Sequence, residues 1–192
     1  MGSREGAKAP ESALAQLCAQ AKIGEKAAAL LTAQSTTKDF IALLVQKELF
    51  PDAIRIVAHL LPKRESIGWG CLCVRHLHSL KPDKPLPEVQ AAAERWVSAP
   101  NDDNRWAAKK MADGEDPKSL SGLLAMAVFF AGPSMTPANL QAVPPPETAT
   151  PEIVGNIVVL AGVVTEPGKA NEKYRVFMQK ASALIARLQT GH

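Results

Sequence analysis

Apolar residues recur along this chain at intervals of three and four, the spacing that lines one face of an α-helix. Leu14, Leu17, Cys18 and Ala21 make the first such stripe, in a segment that opens at Glu11. A second, short helix is predicted over residues 25–32. Ser35-Thr36-Thr37 then offers N-caps to a helix carrying Phe40, Leu43, Leu44 and Lys47. Between Pro51 and Pro62, Ile54, Val57, Ala58 and Leu61 form an i, i+3, i+4, i+7 stripe. Proline lacks the N–H that a helix's first turn leaves unpaired, so both prolines are expected at the first helical position. A longer helix follows to about Leu80, and then a stiff, extended connection over residues 81–87 containing Pro82, Pro85 and Pro87.

The second half repeats this style. Val89, Ala92, Ala93, Trp96 and Val97 share a face that ends before Pro100. Asn101-Asp102-Asp103 caps a helix expected to turn Trp106, Ala107 and Met111 inward, and Arg95-Trp96 and Arg105-Trp106 suggest two helices that each bury one tryptophan. Asp116-Pro117 reads as a cap and first-position proline before Leu120, Leu123, Leu124, Ala127 and Val128; Thr150-Pro151-Glu152 opens a helix with Ile153, Val154, Ile157, Val158 and Ala161. Residues 157–160 are β-branched enough for a strand, but the cap, the spacing and the lack of a second strand to pair with favour helix. The last helix, from about 168 to 189, directs Tyr174, Phe177, Met178, Ala181, Leu184, Ile185 and Leu188 to the core and leaves Lys173, Lys180 and Arg187 on a solvated face.

Residues 132–150 hold Pro133, Pro137, Pro144, Pro145 and Pro146, which excludes a long helix. They are expected to form a polyproline strap across the helices; the competing reading is a polyproline ligand for a partner. The predicted architecture is all-α: a single-domain, multi-helix bundle of about eight helices over residues 11–192, with a flexible tail over 1–10.

Composition sharpens this picture in three ways. Aromatic residues are only 5% of the 192, against 46% apolar overall, which favours helices over strands and excludes wholesale disorder. The net charge of +3 comes from basic residues scattered among acids, without the concentrated basic face of a nucleic-acid reader. The longest apolar runs, 123–131 and 157–164, are too short to insert across a bilayer. The N-terminus is polar, so no signal peptide is expected. Three cysteines make no disulfide framework, and a reducing cytoplasm is the expected compartment.

Candidate chemistry is sparse. Cys71, Cys73, His76 and His78 resemble a metal cluster, but on one helix Cys71 and His78 lie roughly 10 Å apart along the axis while Cys73 and His76 share a different face. No metal and no cofactor are therefore expected. The flanking Ile67, Leu72, Val74 and Leu77 predict buried thiols with a raised pKa, unsuited to a nucleophile. No Gly-x-Ser-x-Gly, His-Glu-x-x-His, Walker or dinucleotide fingerprint is present, so no enzyme is expected. His59 falls with Asp52 and Arg55 on a polar face and is read as solvated or salt-bridged.

The segment from Pro62 to Cys71 breaks local rules. Lys63 and Arg64 place two cations, beside Glu65, in a first helical turn whose dipole opposes them, and Gly68 and Gly70 weaken the helix interior. Such violations mark either a functional surface or an internal ion-pair network. Lys63, Arg64, Glu65, Trp69 and Arg75 are the candidate binding residues. The alternative pins the arginines to carboxylates such as Glu48 or Glu94, closing the bundle.

Two motif sets carry a resemblance. Leu61-Pro62-Lys63-Arg64-Glu65, followed by Trp69 and Cys71-Leu72-Cys73-Val74-Arg75, resembles the first half of an uncharacterised bacterial family found beside type VI secretion genes. Phe129-Phe130-Ala131-Gly132-Pro133-Ser134-Met135-Thr136-Pro137, with Val143-Pro144-Pro145-Pro146, resembles its second half; Gly68 stands where a second tryptophan is usual. The resemblance implies a non-enzymatic cytoplasmic accessory protein, an adaptor whose partner is another protein, such as a secretion-system component or effector. The alternative is a small-molecule-binding helical protein or enzyme with its site around Arg64 and Arg75.

Overall fold

A computed structural model describes residues 12–80 and 85–190. The expected tail over 1–10 and part of the connection after Leu80 lie outside the described residues. Within them every regular element is helical: α1 Ala13–Gln20, α2 Glu25–Ala28, α3 Thr37–Gln46, α4 Phe50–Leu60, α5 Lys63–Ser79, α6 Glu88–Ser98, α7 Asp102–Asp113, α8 Leu120–Phe130, α9 Ala149–Val163 and α10 Ala170–Thr190, with a 3₁₀ turn at Pro167–Lys169. The all-α reading holds, with ten helices where about eight were expected. No single helix among the described residues is long and apolar enough to cross a membrane.

α9 is the hub, packed against α4, α5, α8 and α10, while α6 and α7 close over α8. The sequence explains this placement. α8 buries Leu124, Ala125, Ala127, Val128 and Phe129, and α9 buries Val154, Ile157, Val158 and Ala161, so each is apolar on too many sides to sit at a surface. The suspected strand at 157–160 is the middle of α9. Gly70 lets α5 approach this pair, since a Cβ there would stand 2.7 Å from Leu124 Cδ2.

Helix starts follow the short polar side chains. Ser12, Thr36, Asn101 and Ser119 each accept a backbone N–H of the first turn. Prolines were placed less well. Pro51 takes the second helical position, and Pro62 is itself the N-cap of α5. Asp116 turns the chain before α8 by accepting from Lys118 N at 2.9 Å, which moves the helix start to Leu120. α9 starts two residues early, with Thr148 in the place expected of Thr150 as N-cap, so Thr150 is buried and donates to the Ala127 carbonyl at 3.3 Å.

Three larger expectations are corrected. Lys173 is not on a solvated face: it is 5% exposed, and its ammonium donates to Gly162 O at 2.9 Å and to Thr165 O. The inward face of α7 is rotated by one residue, so Arg105 and Ala108 are buried while Trp106 is half-buried and Ala107 exposed. The segment 132–150 begins as a closed loop instead of a simple polyproline strap. Met135 N donates to Val143 O at 2.8 Å, and Ser134 Oγ accepts from both Thr136 N and Val143 N at 3.1 Å. Thr136 Oγ1 donates to Gln141 O at 2.6 Å, and residues 141–146, with Pro144-Pro145-Pro146, form no regular element.

Candidate functional site

The five candidate residues do not converge. Trp69 is fully buried, and its indole N–H donates to the Phe177 carbonyl of α10 at 2.8 Å, so it belongs to the core. Arg75 is exposed and paired through two nitrogens with Glu94 of α6. That ion pair is one expected of an internal network, although solvent screens it. Glu48 instead pairs with Arg175 at 2.6 Å and accepts from Asn171 at 3.2 Å. Lys63 and Glu65 are half-buried in the first turn of α5.

Arg64 resolves differently from either expectation. Its Nε donates to the Val97 carbonyl at 2.7 Å, and Val97 lies one residue before the end of α6. The cation disfavoured at the start of its own helix thus sits on the negative end of another. That contact is worth about 0.3–1 kcal/mol at an exposed site, far below the cost of uncovering a buried carboxylate.

Arg105 and Lys173 repeat the device in buried settings. Each is the fourth residue of its own helix, and each bonds a carbonyl at the carboxyl end of a neighbour. Lys173 reaches Gly162 O of α9, while Arg105 Nη1 reaches Phe129 O of α8 at 3.2 Å and Ser134 O of the loop at 2.9 Å. Arg105 Nε also donates to Asp102 at 2.7 Å, and its guanidinium lies 5.0 Å from the Trp106 ring and 5.3 Å from Phe129. Asp102 is held below the usual carboxylate range, chiefly by that hydrogen bond. A Cβ on Gly132 would overlap the guanidinium, so only glycine fits where the loop leaves α8. Sequence reasoning missed Arg105 because the adjacent tryptophan drew attention to the wrong face.

Cys71 and Cys73 are buried, and among the described residues no three His, Cys, Asp or Glu side chains group as a metal site requires. Burial first, and Glu94 second, push the Cys71 thiol up to about 12, and burial likewise raises Cys73. An unfolded thiol titrates near about 8.5. Because the folded value is the higher one, stability is intact below that point and falls as pH rises toward 12. The slope is about 1.4 kcal/mol per pH unit for each thiol. Denaturant midpoints taken between about pH 8 and pH 10 should decline, and less steeply for Cys71→Ala. Identical slopes for the two proteins would refute the assignment.

Two clefts flank His59, at the junction of α1, α4, α5 and α9. One, of about 260 Å³, is lined by Ala21, Lys22, Arg55, His59, Glu152 and Asn156. The other, of about 200 Å³, includes Gln20, His59, Lys63, Glu147 and Thr148. Neither Arg64 nor Arg75 lines them. Asp52, expected on the polar face with His59, is buried and accepts from Gly24 N at 2.8 Å.

Residues 40–185 match the profile of a family of unknown function (DUF6931). The chain belongs to that family. No curated protein and no solved structure matches it. The DUF6931 span runs from Phe40 in α3 to Ile185 in α10. It therefore contains the three helix-end cations, the closed loop and His59, whereas Gln20 and Lys22, which help wall the clefts, precede it. α1 and α2 also precede the DUF6931 match.

Proposed function

We propose that the chain is a non-enzymatic cytoplasmic interaction protein, an adaptor or accessory factor whose partner is another protein, a component or effector of a type VI secretion system. The observation that carries the reading is the loop after α8. Its Ser134 and Thr136 spend their hydrogen bonds on closing the loop, and buried Arg105 anchors it. Leu140 is nevertheless 59% exposed and Val143 43% exposed. A tied loop that presents apolar side chains outward is suited to contact another protein, since ordered surface loops are where recognition concentrates. The loop is also built from the motif residues that carry the resemblance to a secretion-linked family. The rival small-molecule site at Arg64 and Arg75 has less support, because both arginines are exposed and already engaged.

The test is recovery of cross-linked partners from native cells, with the full chain as bait. Wild type should enrich secretion-system proteins, and a Leu140→Asp, Val143→Asp double variant should lose them with an unchanged melting temperature. Equal recovery by the variant, or no secretion component with either bait, would overturn the proposal.

A further inference from the structure

The stretch between the closed loop and α9 is held at both ends and left bare in between. Val143 closes the loop, its N–H bound to Ser134 Oγ at 3.1 Å and its carbonyl accepting from Met135 N at 2.8 Å. Pro146 is tied on the other side, where its carbonyl accepts from Ala149 N at 3.1 Å. Between these anchors, the carbonyls of Pro144 and Pro145 have no hydrogen-bond partner among the described residues. Proline has no N–H, so the stretch offers acceptors and no donor. Val143, Pro144 and Pro146 are exposed, whereas Pro145 is half-buried.

Local sterics give this stretch a shape. Each proline fixes its own φ, and each residue before a proline is turned away from the α region, which covers Val143, Pro144 and Pro145. The favoured result is polyproline-II geometry, with three residues per turn. In that geometry Val143 and Pro146 share one edge, Pro144 lies on the second and Pro145 on the third. The exposures follow the same division, with the first two edges open to solvent and Pro145 against the fold. Because both ends are already pinned, docking such a segment loses little conformational entropy.

What covers the two open edges follows from their chemistry. They offer apolar rings and unpaired carbonyls, and Trp and Tyr match both, with an apolar ring and a donor on one side chain. Glu147 is the one charge in residues 131–150, and it is exposed and without an ion pair among the described residues. Its complement on a partner is a cation. We propose that residues 143–147 are a recognition segment for a partner protein whose groove is lined by Trp or Tyr and ends in Lys or Arg. This rests on the interaction-protein reading above and names the chemistry of the partner's surface.

The test places the photo-cross-linker p-benzoylphenylalanine at Gln141, an exposed position just before the proline run. The full chain is irradiated in native cells, and the attachment point on the partner is mapped by mass spectrometry. The adduct should lie on a surface that carries Trp or Tyr beside Lys or Arg. Pro144→Ala combined with Pro146→Ala, both exposed and so expected to leave the melting temperature unchanged, should cut the adduct about tenfold or more. Glu147→Lys, which sets like charges against each other, should weaken it as well. Undiminished yield in either variant, an adduct on a surface without aromatic residues, or no adduct at all would overturn the proposal. In the last case, partners still recovered through Leu140 and Val143 would leave the interaction-protein reading standing, and loss of every partner would overturn both.

Discussion

Trp69→Ala is expected to destabilise the fold by about 3–5 kcal/mol, the range for deleting a large buried aromatic ring. The ring has no solvent exposure, and its N–H is bonded to Phe177 O of α10, so truncation opens a cavity between α5 and α10 and removes a link between them. Phe177 is itself fully buried, with His76 edge-on at 5.9 Å, so its neighbours have little freedom to collapse into the space. For a chain of this size the loss corresponds to a drop in melting temperature of about 6–20 °C. Thermal unfolding followed by circular dichroism checks it. Any loss of partner binding by this variant should track its folded fraction. A variant that melts like wild type yet no longer binds would return Trp69 to the interaction surface, where its position in the sequence first suggested it.

Periodicity and caps made most helices legible, because both are local. A serine or threonine before an apolar stripe reports on the next four residues only, and that was enough to place α3, whereas the caps of α1 and α8, Ser12 and Ser119, went unread. Proline was less informative, since Pro51, Pro62 and Pro117 are compatible with several positions around a helix start. What the sequence hid is non-local. Arg64, Arg105 and Lys173 all look misplaced when judged against their own helices, and all are explained by the carboxyl end of a different one. The anomaly at Arg64 was visible, but its partner, a backbone carbonyl 33 positions away, carries no signature in the side-chain pattern. The closed loop was hidden for the same reason. Five prolines ruled out a helix without revealing that Ser134 would bridge to Val143. His59 was read as solvated or salt-bridged, but it is half-buried, forms no ion pair among the described residues, and has one ring nitrogen buried without a partner among them.

Arg105→Ala should be the sharpest test of the helix-end cations, with an expected loss of about 3 kcal/mol. Arg105 is 2% exposed, so water cannot readily replace its contacts. Truncation removes the donor from Phe129 O and Ser134 O together, and hydrogen bonds to a charged group are worth about 1.5–3 kcal/mol each before relaxation. It also removes the guanidinium from beside Trp106 and Phe129, whose rings meet edge-on at 5.2 Å. Asp102 adds little to the loss, because its carboxylate is 57% exposed and hydrates once released. Arg105→Lys should recover only part of the stability, since an ammonium cannot span Asp102, α8 and the loop as a planar fork does. Hydrogen exchange gives the result its signature. In Arg105→Ala, amides of residues 134–143 should lose protection before those of α4 and α9, because the guanidinium is what holds the loop's first turn to α8. Uniform loss of protection across the molecule would mean that Arg105 supports the core generally and does not anchor the loop.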